Sequence, residues 1–196
     1  MITIIQKNYE KPPFSLKEGL RYLGIKKSDV SIERLISDAD GELEENAVYK
    51  ACYAELPINI TGDICDFSAF SVVSKDLAKN LSGTNKVIVF AATIGIGIDR
   101  LINKYSKLSP SRAVVLDAIG SERIEALCDC FCDDIRSKYG KLKPRFSAGY
   151  GDLPIDAQTK IFSLLGCDKK IGLTLNDSCM MSPSKSVTAF VGIIND

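Results

Sequence analysis

Lys86-Val87-Ile88-Val89-Phe90-Ala91-Ala92-Thr93 is an unbroken apolar run framed by turn residues. Such a run predicts a buried strand, because a strand with one wet face alternates polar and apolar positions instead. Downstream it passes straight into Gly95-Ile96-Gly97-Ile98-Asp99-Arg100, a glycine turn that opens a helix carrying Leu101 and Ile102. A dinucleotide fingerprint requires a third glycine where Arg100 stands, and no Gly-Lys-Ser/Thr follows, so a tight strand-to-helix turn is preferred over a phosphate cradle. Upstream, Ser74 to Leu81 reads as a brief helix. Residues 48–73 interleave Tyr, Val, Ile, Phe and Thr with Pro57, Gly62 and several Asp, the pattern of short antiparallel strands and turns.

Farther out, Ser15 and Glu18 have capping-box spacing ahead of Leu16, Leu20 and Leu23, which predicts a helix ending at Gly24. The stripe Val30, Ile32, Leu35, Ile36, Ala39 and Leu43 predicts a second helix over 28–46. A long helix is predicted from Ser111 to Tyr139, with Pro110 in its first turn and Gly140 at its end. A helix over Ile155–Leu165, a strand over Ile171–Leu175 and a last strand through Val191, Ile193 and Ile194 complete the reading. No repeat or linker divides residues 1–196, which read as one domain: an N-terminal helical arm over 1–47 and a sheet-and-helix body over 48–196.

Composition narrows the chemistry. The 196 residues contain 25 basic and 25 acidic side chains, so no net field draws the chain to nucleic acid or to an anionic membrane. Histidine is absent, which removes Ser-His-Asp and Cys-His catalysis and histidine-ligated metals. No stretch reaches the roughly 20 apolar residues that span a bilayer, and the start lacks the pattern of a secretory signal, so a cytoplasmic protein is expected. The 7 cysteines include no Cys-x-x-Cys pair, which fits a reducing compartment better than a disulfide or zinc framework. Cys128, Cys130 and Cys132 read as small buried hydrophobes, with metal binding as the alternative.

Three segments carry candidate chemistry. On the long helix, Asp117, Ser121 and Glu125 recur every four residues and share a face, either as solvated surface or as a surface facing a ligand. In Lys143-Pro144-Arg145-Phe146-Ser147-Ala148-Gly149-Tyr150-Gly151-Asp152-Leu153-Pro154, the glycines and prolines fix an unusual backbone. Arg145 offers a planar fork for a carboxylate or phosphate, or for a neighbouring acid, and Tyr150 a ring with a polar tip. The third segment, Asn176 to Ala189, holds Met180 and Met181 ahead of a Ser/Lys-rich turn. No Ser-x-x-Lys spacing or histidine base supports acyl transfer there.

The combination of Arg-x-Ser-x-Gly-Tyr-Gly at 145–151 and Leu-x-Asp-Ser-x-Met-Met-x-Pro-x-Lys-Ser-Val at 175–187 resembles the activation domain of cobalamin-dependent methionine synthase. Leu116-Asp117-Ala118-Ile119-Gly120-Ser121 with Glu125, and Leu20 to Gly24, resemble its short free-standing members. The resemblance implies an α+β fold with a bent, largely antiparallel sheet flanked by helices. It implies binding of S-adenosylmethionine for the reductive methylation of oxidised, cob(II) cobalamin carried by a partner protein, with an electron from a flavodoxin-like donor. The chain is then a component of a methyltransferase with no complete active site of its own, which suits the missing histidines.

Carried onto this sequence, Arg145 is the expected partner of the adenosylmethionine carboxylate. The backbone at Arg145 and Ser147, with Ala148, Gly149 and Tyr150, would frame the adenine, and Glu125, then Asp117, are the acids for the cationic groups. Met180, Met181, Pro183, Ser184, Lys185 and Ser186 are expected on the cobalamin side. Ala148 stands where the family has Pro, and Asn176-Asp177-Ser178 where it has Thr-Glu-Ser. Two other functions stay open: activation of a different corrinoid methyltransferase, and a non-catalytic interaction module whose Cys128–Cys132 cluster senses redox state.

Overall fold

A computed structural model describes residues 2–194. In chain order its elements are β1 (Ile5–Tyr9), α1 (Leu16–Tyr22), α2 (Val30–Glu44), β2 (Tyr49–Pro57), β3 (Asn59–Thr61), β4 (Ile64–Asp66), β5 (Ser71–Val73) and α3 (Lys75–Asn80). There follow β6 (Lys86–Thr93), α4 (Gly97–Leu108), α5 (Pro110–Tyr139), α6 (Ala157–Leu165), α7 (Cys167–Ile171), β7 (Thr174–Leu175), β8 (Met181–Ser182) and β9 (Ser186–Ile193). The main sheet is antiparallel throughout, in the order β1-β2-β6-β9. The α+β class expected of the sequence is therefore the class observed.

Strand β6 shows why its sequence never alternates: both faces are covered, and every residue after Lys86 is buried. Ile88 and Phe90 point to the face occupied by α5, where they meet Leu127, Phe131 and Ile135 together with Ala189 and Val191 of β9. Val87 and Val89 point the other way, into a second core with Phe67, Leu77, Ile161, Leu165 and Phe190. Phe90 stacks on Phe131 at 4.4 Å and Phe67 on Phe190 at 5.0 Å. Each such buried ring contributes roughly 1.5–3 kcal/mol by leaving water. The small β3-β4-β5 sheet, α3, α6 and α7 form the layer over this second face.

Helix α5 organises the first face, and α1, α2 and α4 all pack against it. Ser15 caps α1 by accepting the Glu18 amide, as its spacing predicts, while the Glu18 carboxylate turns to Arg21 at 2.6 Å. Asp29 caps α2 by accepting the Ile32 amide at 2.9 Å. Arg123 on α5 is fully buried, holds Asp40 of α2 through both carboxylate oxygens, and donates to the Pro12 carbonyl at 2.6 Å.

Two elements differ from the sequence reading. The first 47 residues carry a strand besides their helices, β1, which pairs with β2 along the sheet edge. Residues 171–175 hold only the short β7. Ile171 closes a one-turn helix between Gly166 and Gly172, both in left-handed conformation, and shares with Cys167 a face turned into the second core.

Candidate functional site

The decisive side chain is Arg145, and backbone alternation aims it. Residues 142–146 run antiparallel beside β9, with bridges Leu142–Ile193 and Phe146–Phe190. Phe146 exchanges both backbone hydrogen bonds with Phe190, at 3.0 and 2.8 Å, and joins the second core. Its neighbour Arg145 must then project to the opposite face, toward α5. There its Nη2 donates to Glu125 Oε2 at 2.8 Å, and its Nη1 lies 3.0 Å from Asp129 Oδ1. That second approach is an ion pair without hydrogen-bond alignment, so Nη1 is buried with no hydrogen-bond partner. The guanidinium thus has charge compensation and an unused donor.

Cys128 and Cys132 lie against Arg145 from below. Both are buried, and desolvation holds the thiols of Cys128, Cys130 and Cys132 above the ordinary cysteine range. Such thiols are poor nucleophiles, which works against redox sensing by this cluster. Among the described residues no group of three His, Cys, Asp or Glu side chains is placed to hold a metal ion, and no helix is long and apolar enough to cross a membrane.

The loop beyond Arg145 is tightly bound to itself and to α3. Tyr150 N–H donates to the Ser147 carbonyl at 3.1 Å, so that carbonyl is engaged internally, and Gly149 N–H donates to the Leu153 carbonyl at 2.9 Å. Ala148 packs against the second core. Tyr150 stands edge-on to Phe146, ring centroids 5.7 Å apart, and is 70% exposed, presenting its ring to solvent. Gly151 has φ +56, and a Cβ there would lie 2.4 Å from the Asp76 carboxylate, so only glycine fits. Asp152 then caps α3, accepting Ser74 Oγ and the Lys75 and Asp76 amides at 2.5, 2.9 and 3.1 Å.

The segment leading into β9 lies along the other end of α5. The Lys185 stem crosses Gly120, and its ammonium reaches Asp117 Oδ1 at 2.8 Å and Ser121 Oγ at 2.9 Å. Asp117 therefore pairs with Lys185 and not with Arg145; it stands eight residues, about 12 Å, before Glu125 along the helix. The Ser184 amide donates to Asp99 at 3.1 Å. Ser186 Oγ donates to the Pro183 carbonyl at 2.8 Å and accepts from the Thr93 hydroxyl at 2.8 Å, and Pro183 is buried. Met181 packs on the second core, which leaves Met180 and Ser184 as the exposed members of this group.

Two contributors lay outside the sequence reading. Asp129 continues the four-residue stripe of Asp117, Ser121 and Glu125, so its position was visible in the spacing. Glu122 was not: it follows Ser121 on a different face and gives no local signal. Its Oε1 accepts the Ser15 amide at 2.9 Å, while Oε2 is buried with no hydrogen-bond partner. Desolvation holds this carboxyl above the usual glutamate range. Glu122, Glu125 and Asp129 line a cavity of about 390 Å³ between α1 and α5, so the Arg145 cluster borders a space of ligand size.

Residues 135–194 match the family model for the vitamin B12 dependent methionine synthase activation domain. This span contains the Arg145–Tyr150 loop and the Met180–Ser186 segment, and the resemblance read from those motifs is borne out there. Among solved structures the chain is similar to the MetH reactivation domain, crystallised bound to AdoHcy, with a TM-score of 0.76 at 15% identity over 100% of this chain and 79% of that one. At that identity the likeness establishes a common fold. A search of curated proteins returned no match.

Proposed function

We propose that this chain binds S-adenosylmethionine beside Arg145 and serves the reductive reactivation of a cobalamin carried by a partner protein of methionine synthase type. The observation that carries the reading is the unused, buried Nη1 donor of Arg145. It sits in the loop that matches the activation-domain family, on a fold shared with a domain crystallised with AdoHcy. S-adenosylmethionine has a carboxylate, an ammonium and a sulfonium. The residues present suit all three: a guanidinium with a spare N–H for the first, and Glu122, Glu125 and Asp129 around the cavity for the cations. The exposed Tyr150 ring and the backbone of the 147–149 turn form the flank for adenine.

The partner's corrinoid would supply the cobalt chemistry, with a flavodoxin-like reductase as the source of the electron and S-adenosylmethionine as the source of the methyl group. This chain's share is to bind and orient the methyl donor and to present Met180, Ser184 and the Lys185 turn to the corrinoid protein. Lys185, clamped by Asp117 and Ser121, holds that turn against α5.

Isothermal titration with S-adenosylmethionine tests the reading. Wild type binds, and Arg145→Ala loses affinity by at least about thirtyfold, the effect of stranding a desolvated charge pair. Absence of binding to wild type, or equal affinity for the variant, refutes it.

A further inference from the structure

A second cavity, of about 410 Å³, lies at the end of α5 remote from the Lys185 clamp, between the start of β1, the end of β2 and the turn after β4. Its α5 residue Lys138 stands nine residues, about 14 Å, beyond Asp129 along the helix, so this space is separate from the one beside Glu125. Ile2, Ile5, Leu56 and Phe67 supply apolar walls. Leu56 and Phe67 belong to the second core, whereas Ile2 and Ile5 are 42% and 37% exposed, apolar surface that the described residues leave to solvent.

The polar groups of the rim do not cancel. Glu55 is already spent: Lys86 Nζ lies 2.7 Å from its Oε1, and the Tyr139 hydroxyl donates to its Oε2 at 2.7 Å. These partners hold the carboxylate below the usual glutamate range, so it stays ionised and Lys86 is neutralised. Lys138 is left over. Its ammonium lies 4.7 Å from the centre of the Tyr139 ring and forms no ion pair with a carboxylate among the described residues. Ser68 adds a donor. The Asp66 carboxylate accepts its N–H at 2.9 Å and the residue is held at φ +65, while its hydroxyl has no hydrogen-bond partner among the described residues. The lining thus sets one unpaired positive charge and one free hydroxyl beside exposed apolar surface.

This combination suits an amphipathic anion of single charge. A neutral apolar molecule leaves Lys138 and Ser68 unused, a cation is repelled, and inorganic phosphate gains nothing from Ile2 and Ile5. We infer that the cavity binds a small organic acid with an alkyl or aryl body, its carboxylate on Lys138 and Ser68 and its carbon skeleton on Ile2, Ile5, Leu56 and Phe67. Burial of the hydrocarbon provides affinity, and the ammonium selects the charge. The site shares no lining residue with the cavity between α1 and α5, so it stands apart from the adenosylmethionine reading.

The test titrates octanoate, 1-octanol and octylammonium into the full chain and follows amide chemical shifts in nitrogen-15-labelled protein. Octanoate is expected to bind at least about tenfold more tightly than 1-octanol, the effect of one charge-assisted hydrogen bond, and to shift the amides of Ile5, Leu56 and Ser68. Lys138→Gln changes an exposed side chain and should bind octanoate and 1-octanol alike. Arg145→Ala removes the other cation offered to a carboxylate and should keep the wild-type preference. Failure of octanoate to bind wild type, equal affinity for octylammonium, or a preference retained in Lys138→Gln overturns the assignment. Loss of octanoate binding in Arg145→Ala also overturns it, because the carboxylate would then sit at Arg145. None of these results bears on the adenosylmethionine reading, which its own titration decides.

Discussion

Arg145 owes its role to one alternation of the backbone: Phe146 is drawn into the second core by Phe190, so the preceding side chain faces α5. The loop after it is held by Asp152, whose carboxylate Ser74 and the first amides of α3 hold below the usual aspartate range. A depressed folded-state value means that this anchor is fully present above the ordinary aspartate range and is lost as pH falls through the folded value. Protection of the Lys75 and Asp76 amides, taken relative to their intrinsic exchange rates, should therefore be constant from neutral pH down to that range and fall only below it. In Asp152→Asn, faster exchange is expected at every pH. The same low-pH step in both proteins would show that another group holds the loop. At this scale Arg145 was legible in the sequence because glycines and prolines mark its loop. Glu122 was not, because its isolation is created by α1 closing over α5, a contact no local spacing records.

The elements were largely legible where their periodicity is strong: β6 and α5 stand where the sequence places them, to within a residue. Weak signals failed where tertiary packing decides, as in the strand read over Ile171–Leu175, of which Ile171 ends α7 and only Thr174–Leu175 is strand, and in β1, whose exposed residues carry no apolar alternation. The β6–α4 turn has the structural reading. A Cβ on Gly97 would stand 2.0 Å from the Asn46 carbonyl oxygen, so the glycine lets α4 close onto the chain between α2 and β2. Gly97→Ala should lower unfolding stability by about 1–3 kcal/mol in urea titration, as overpacking does. Gly41→Ala on α2, where the space is open, should be neutral or gain about 0.5–1 kcal/mol. Equal effects would contradict the packing account of the turn.

For the molecule as a whole, the absence of histidine is consistent with a site that binds and orients a reactant and leaves the metal chemistry to a partner. Its parts are distributed along α5: the Lys185 clamp at Asp117 and Ser121, then Glu122, then the Arg145 cluster at Glu125 and Asp129. One helix thereby fixes the candidate ligand-binding residues relative to the turn proposed to face a corrinoid protein, and buried Arg123 ties α2 and Pro12 to the same helix. The sequence revealed the two ends of this arrangement through its two motifs. The pairing of Asp117 with Lys185, which separates them, required the fold. The most direct test is a visible-absorbance assay of a cob(II)alamin-loaded methionine synthase protein lacking its own activation domain, supplied with reductant and S-adenosylmethionine. The account predicts conversion to the methylcobalamin spectrum that depends on adding this chain and is lost with Arg145→Ala; conversion at the same rate without the chain, or with the variant, would contradict it.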